Sequence, residues 1–349
     1  MVQRIIGGKP AAQAKAVRAS GPAPAVMRVH IDEGSEGQRL DNFLLKLLKG
    51  VPKTHVYRVI RSGEVRVNKG RASADTRLAL GDEVRVPPVR MADRSADAPV
   101  PAREFPVVYE DDCLIAVNKP AGVAVHGGSG VSFGVIEQLR QARPDARFLE
   151  LVHRLDKETS GLLLVAKKRS ALTALQDQFR SRETGKTYAA LVIGAWPASK
   201  KVIDVALHKF LTAEGERRVR TVEVDARRPA QADRGLAQHE AGRRSITLVR
   251  VVRQFADFSL LDVTIKTGRT HQIRVHLAHE GHPIVGDEKY GDFALNKALA
   301  RGEALKGHKF DRMFLHARRL AFQHPATGEA VELVAPLPAE CLSLLEVLP

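Results

Sequence analysis

LVHRLDKETSGLLLVAKK, from Leu151 to Lys168, decides how the larger part of this chain folds. The segment leaves an apolar stretch at Phe148, Leu149, Leu151 and Val152, crosses the polar HRLDKETSG, and re-enters the apolar LLLVAKK. Two buried strands joined by a polar loop account for that alternation. Asp156 then stands in a loop pinned at both ends, a position where catalytic groups concentrate. An Asx turn explains an aspartate there equally well, so spacing leaves both readings open. The same Arg-Leu-Asp triplet recurs in QRLDNFLLKLLKG. There Asp41 opens a helical pattern and suits the positive end of the helix dipole, so it reads as architecture.

Around this segment the blocks VVYED, CLIAVNKP, FLELVHRL, KTYAALVIG and FSLLDVTIK read as further strands. Helices are expected at SALTALQDQFR, capped by Ser170, and at HQIRVHLAHEG, ending at Gly281. Strands outnumber helices and many are spaced as hairpin neighbours. The expected class is therefore α+β, with a mixed, largely antiparallel sheet over residues 107–345. A charged, apolar-poor stretch at 225–244 reads as a mobile surface insertion.

Residues 38–90 form a different kind of module. Leu40, Phe43, Leu44, Leu47 and Leu48 share one helical face, and a second helix runs from an Ncap-like Thr54 to Gly63. Two alternating strands follow, with Val65/Val67 and Val84/Val86 on one side and Arg66 and Arg85 on the other. Lys53, Arg58 and Arg61 lie on or beside the second helix. The module holds 12 Lys/Arg against 5 Asp/Glu. Such a compact basic unit reads as a nucleic-acid grip. Residues 91–106 are Pro- and Ala-rich and read as a linker, and residues 1–37 as a flexible basic extension.

The whole chain of 349 residues carries a formal charge of +15 and a pI near 10, which makes a polyanion the leading partner class. Cys113 and Cys341 are the only cysteines, without metal or redox spacing, which suits a reducing compartment. No apolar run approaches the ~20 residues needed to cross a bilayer.

Two other chemistries have partial motifs in the sequence. HGG at His126–Gly128 beside GVSFG at Gly130–Gly134 matches pieces of a serine hydrolase site, with Ser132 as nucleophile. The motifs abut, however, where a hydrolase draws them from separate loops, and GVSFG has no clear preceding strand. His271, His276, His279 and His282 crowd one segment, but no cysteine lies near and Arg274 stands among them. A basic RNA-facing helix accounts for them more simply.

HRLDKETSG resembles the His-Arg-Leu-Asp-x-x-Thr-Ser-Gly signature of the RluA-type pseudouridine synthases. NKPAGVAVHGG, KTYAALVIG, TGRTHQIRVHLAHEGHPIVGDEKYG and FLHARRLAFQHPATGE resemble that family's remaining blocks, in order. RLDNFL, VYRVIRSGEVRVN and GDEVRVP resemble an S4 RNA-binding domain, a small α/β fold. The resemblance implies a pseudouridine synthase fold and isomerisation of uridine in RNA without cofactor or metal. Within the family it points to members acting on 23S rRNA. It also implies a cytoplasmic monomer with no DNA or membrane partner.

By the same resemblance Asp156 is the catalytic aspartate, Arg269 the arginine that pairs with it, and Tyr188 the ring that stacks on the uracil. Ile273 and Leu315 would wall the pocket, Arg154 would fill the space left by the flipped base, and His153, Leu155 and Thr159 would complete the substrate site. Lys53, Arg58, Arg61 and Arg66 would hold RNA. The N-terminal extension, the 225–244 insertion and Arg243, which stands for a lysine, depart from the family pattern.

Overall fold

The computed structural model describes residues 25–32, 34–48, 50–89, 100–127, 133–212, 216–222 and 242–349. Two compact units emerge, Met1–Arg94 and Ser95–Pro349. Residues 1–24 of the expected extension, GVSFG through Ser132, and residues 225–241 of the expected insertion lie outside the described residues.

The first unit contains β1 (Met27–His30), α1 (Leu40–Leu47), α2 (Lys53–Arg61), β2 (Arg66–Val67), β3 (Gly70–Arg71) and β4 (Glu83–Val86). Its sheet runs β1-β4-β2-β3 and is antiparallel at every pairing. Leu40, Leu44, Val56, Val59, Val65 and Val84 form the core, as the two periodicities require. The unit begins earlier than residue 38, because Met27 to His30 pair with Val86 to Glu83 and Ile31 is buried behind them. Pro52, not Thr54, precedes α2, since its fixed φ of −54° with an extended ψ sets the chain direction into the first turn. Asp41 accepts both guanidinium N–H groups of Arg39 (3.1 and 2.8 Å) and the Tyr57 hydroxyl (3.1 Å). Its role is structural.

The second unit begins before residue 107. Phe105 is buried and the Asn118 N–H donates to the Pro106 carbonyl (2.8 Å). Its first strands and helices are β5 (Val107–Glu110), β6 (Leu114–Lys119), α3 (Val135–Ala142), β7 (Glu150–Leu151), β8 (Ser160–Ala166), α4 (Arg169–Ser181) and β9 (Gly185–Ile193). Then come β10 (Val202–Asp204), β11 (Ala206–Leu211), β12 (Arg217–Val222), β13 (Ile246–Gln254), β14 (Phe258–Ile265) and α5 (Gln272–His279). The chain closes with α6 (Phe293–Arg301), β15 (Leu315–Gln323), β16 (Ala330–Val334) and α7 (Ala339–Val347).

The main sheet runs β10-β13-β14-β9-β15-β8-β6-β5, with β7 on β8 and β16 on β15, while β11 and β12 form a separate ribbon. Every described pairing is antiparallel except one, β8 with β15, where Ser160 faces His316 and Gly161 faces Ala317. The expected mixed, largely antiparallel sheet is what forms. β6 and β8 are buried along almost their whole length, which explains their unbroken apolar runs. FLELVHRL, by contrast, supplies only the two-residue β7, because the chain turns away at Val152 to build the loop. Lys168, not Ser170, caps α4. None of the described helices is long and apolar enough to cross a membrane.

Candidate active site

The loop between β7 and β8 is a tight turn in which the Thr159 N–H donates to the Asp156 carbonyl (3.2 Å). Aspartate is favoured at the first position of such turns. The turn is tied down from below by Lys119, whose side chain is fully buried. Its ammonium donates to the carbonyls of Pro120 (2.8 Å), Val123 (2.8 Å) and Lys157 (3.0 Å). Burial pushes the Lys119 pKa down to about 7. Gly161 follows with φ +111°, and a Cβ there would lie 2.3 Å from the Ala317 carbonyl oxygen. Only glycine lets β8 come this close to β15. The Ser160 hydroxyl donates to Nδ1 of His316 (2.9 Å) and accepts from Arg312 (2.6 Å), locking the same seam. Asp156 is therefore held from two sides while its carboxylate stays partly open, 31% exposed.

The group facing it comes from α5. Arg274 Nη1 lies 3.7 Å from Asp156 Oδ2, and the same guanidinium grips the buried Asp287 through two hydrogen bonds of 2.6 Å. Burial opposes charge on Arg274, but the Asp287 carboxylate holds its pKa above the ordinary value. A cation fixed in place by one carboxylate is thus presented to a second. Arg274 also lies over the Tyr290 ring, 5.2 Å from its centroid. His271 completes the set, with Nε2 4.0 Å from Asp156 Oδ2. The Tyr290 hydroxyl accepts the Val219 N–H (3.1 Å), so its own proton goes to His271 Nδ1 at 2.8 Å. The Nε2 proton of a neutral imidazole then faces Asp156, and burial lowers the His271 pKa in favour of that form.

Leu155, Asp156, Thr159, Tyr188, Arg269, His271, Ile273, Arg274 and Leu315 line one cleft. Its apolar walls are Leu155, Ile273 and Leu315, all buried. Tyr188 sits in β9 between Val263 of β14 and Ala317 of β15, in the middle of the sheet. Burial and the nearby Asp156 charge push its phenol pKa up, so it is protonated at neutral pH. Gln272, buried, holds the loop before α5. Its amide donates to Ile246 O and Thr247 Oγ1, and its carbonyl accepts from Thr267 and the Arg269 N–H.

The expected pairing of Arg269 with Asp156 does not occur. Arg274 occupies that place, and Arg269 Nε is buried with no hydrogen-bond partner among the described residues. The reason lies in the backbone: His271 takes φ +52° as the cap of α5, so the chain reverses between the two arginines and the first turn of the helix aims Arg274 inward. His153 is also outside the Asp156 cleft. Its ring stacks on Phe179 (4.7 Å, 14°) and its Nε2 accepts the Leu164 N–H at 3.1 Å. Arg154 is exposed and opens onto neighbouring clefts shared with Thr270, His271 and Lys289.

The other histidines have separate partners. His276 is buried between Thr247 Oγ1 (2.9 Å) and Val205 O (3.1 Å), His279 meets Thr221, and His282 donates to Ile193 O. Elsewhere Asp111, Cys113 and His324 come close together. Asp111 already accepts from Tyr109, from His324 Nε2 and from two backbone N–H groups. His324 Nδ1 takes the Thr327 N–H, so the group acts as a clasp between two hairpins.

Residues 113–279 match the RNA pseudouridylate synthase family, and residues 38–84 match the S4 domain. The ribosomal large subunit pseudouridine synthase C of Salmonella typhi is 47% identical over 331 residues, covering 93% of this chain and 97% of that relative. That of Escherichia coli is 47% identical over 320 residues, covering 90% and 94%. The chain belongs to the RNA pseudouridylate synthase family.

Solved structures agree with the fold of this synthase. Human RNA Pseudouridylate Synthase Domain Containing 4 superposes with a TM-score of 0.53 at 26% identity, over 69% of this chain and 91% of that one. Human RNA Pseudouridylate Synthase Domain Containing 1 gives 0.51 at 29% identity, over 67% and 84%. The site residues that sequence reasoning missed in the synthase are Arg274, His271, Asp287, Tyr290 and Lys119. One signal was available for Arg274. An arginine flanked by Ile273 and Val275 in a helix with a buried face requires a carboxylate, and Asp287 follows 13 residues later.

Proposed function

We propose that this synthase isomerises particular uridines to pseudouridine in 23S rRNA of the large ribosomal subunit, with Asp156 as the catalytic residue. The observation that carries the reading is a rigidly held carboxylate in an apolar-walled cleft, 3.7 Å from a fixed guanidinium. Arg274 thus sets a fixed positive charge beside the carboxylate that the reaction uses. In the isomerisation the N1–C1′ bond breaks, the detached uracil turns, and C5 bonds to C1′. C5 gives up a proton and N1 gains one. Tyr188 serves as the surface on which the uracil stacks and turns. A neutral phenol can take the C5 proton only by passing its own on to another group.

A uridine inside folded RNA must first leave its stack, at a cost of a few kcal/mol. Exposed Arg154 beside the cleft can offset this by stacking in the vacated space. Lys53, Arg58 and Arg61 are exposed and Arg66 half-buried in the S4 unit, which suits them to contact phosphates. A cytoplasmic site of action belongs to the same proposal, supported by two buried free thiols and bacterial ribosomal relatives.

Pseudouridine mapping on protein-free 23S rRNA tests the reading. Wild-type protein is expected to introduce pseudouridines that Asp156→Asn does not, with RNA affinity changed by less than about twofold, since the substitution removes a catalytic group rather than a phosphate contact. Tight binding without product from either protein would replace this reading with that of an RNA-binding or assembly protein.

A further inference from the structure

Arg269, whose Nε has no hydrogen-bond partner among the described residues, also borders a second cleft of about 510 Å³ on the catalytic unit. Four cations line it: Arg180, Arg182, Lys186 and Arg269. Arg180 pairs with Asp177, but the other three have no carboxylate partner among the described residues. They act on one another instead. Burial and the charges of Arg243 and Arg182 lower the Arg269 pKa, and burial and Arg182 lower that of Lys186. Mutually repelling, partly desolvated cations are costly unless an anion joins them.

Two backbone and side-chain details point the same way. Among the described residues nothing accepts from the buried Arg269 Nε, and such donors in native proteins normally have a partner. Arg182 ends α4 in the left-handed region at φ +67°, where glycine or asparagine is the unstrained choice. An arginine there strains the backbone, and its side chain lines the cleft. Phe179, with Lys186 Nζ 5.1 Å from its centroid and His153 stacked on it, supplies a flat wall. His153, lowered by burial to a pKa of about 4, is neutral and leaves the anion to the three cations.

We propose that Arg182, Lys186 and Arg269 form a phosphate site that clamps the RNA backbone beside the target nucleotide. The inference rests on the reading that the Asp156 cleft receives a uridine. Because Arg269 lines both clefts, a strand whose base enters one carries a flanking phosphodiester to the other. Binding energy gained on that phosphate is then available for extruding the base.

The test uses full-length protein and equilibrium binding to a short RNA centred on a target uridine, with single neutral methylphosphonate linkages placed one at a time around it. In wild type, one flanking linkage is expected to weaken binding about tenfold, as loss of a charge-assisted contact does. Arg182→Gly with Lys186→Gln should weaken the all-phosphate RNA similarly and flatten the log K against log salt slope by roughly 1. In that variant the neutral linkage should cost nothing more. Arg182→Gly relieves backbone strain, so an affinity loss in the single variant cannot be attributed to misfolding. Equal sensitivity to the neutral linkage in wild type and variant overturns the proposal. So does an outcome in which all linkages are harmless while inorganic phosphate still displaces RNA, since the site then takes a free anion. Binding is read without turnover, so a missing product with Asp156 intact sinks the catalytic reading and leaves this measurement standing.

Discussion

Arg274 is the residue on which the site turns, because one guanidinium serves two carboxylates. Replacing it by glutamine leaves Asp287, 1% exposed, as an uncompensated buried charge. The expected loss is about 3–5 kcal/mol of stability, read by urea unfolding, together with loss of pseudouridine formation. Arg274→Lys is expected to fail as well, since a point ammonium cannot reproduce the two-pronged grip on Asp287 while facing Asp156. TGRTHQIR contains two arginines five residues apart, and its letters do not say which one faces the aspartate. The choice depends on a left-handed turn at His271, which histidine tolerates better than most residues but which its letter alone does not announce. Asp156, Tyr188, Ile273 and Leu315 were legible because each lies inside a long patterned block. Arg274 carried a fainter signal, because its letters show a need for a carboxylate without saying that Asp287 meets it.

Among the elements, the parallel seam between β8 and β15 carries the site. Gly161→Ala would drive a Cβ into the Ala317 backbone at 2.3 Å and strain a φ of +111°. A loss of at least about 2–3 kcal/mol is expected, seen as a lowered unfolding midpoint. The same seam has a pH signature. His316 is wholly buried, with Nε2 donating to the Ala335 carbonyl and Nδ1 accepting from Ser160, and burial lowers its pKa from 6.5 to about 4. Between these values the unfolded chain binds the proton that the folded one refuses. Stability is therefore complete above about pH 6.5 and falls as pH drops towards 4, by up to about 3 kcal/mol. His153 adds to it in the same direction. Urea midpoints at pH 7 and pH 5 check this, and His316→Asn should reduce the difference. The apolar runs of β6 and β8 were plain in the sequence. Their parallel neighbour was not, because a register set by one glycine and one Ser–His contact leaves no periodic trace.

For the molecule as a whole, we expect the basic S4 unit to supply affinity and the synthase unit chemistry. Lys53, Arg58 and Arg61 changed together to alanine are expected to lower the magnitude of the log K against log salt slope by about 2 to 3. Product formation at saturating enzyme should persist. An unchanged slope would show that RNA is held elsewhere. The two units could be read from charge and periodicity, but their edges could not. Met27–His30 joins the S4 sheet from a segment whose composition resembles a loose tail, since a four-residue edge strand needs little more than Val29 and Ile31 facing the core.

The seam between β8 and β15 also bears on how the enzyme is made. Gly161 and Ala317 touch across more than 150 residues of chain, with β9 and β14 laid into the sheet between them in sequence. Contacts this distant in sequence form late, because the loop they close must be ordered first. On the ribosome, Asp156 emerges well before Arg274, and the strand that backs the turn comes later still. A partly synthesised chain can carry a folded S4 unit and hold RNA while it has no active site. Catalytic competence arrives only when nearly the last strand is in place.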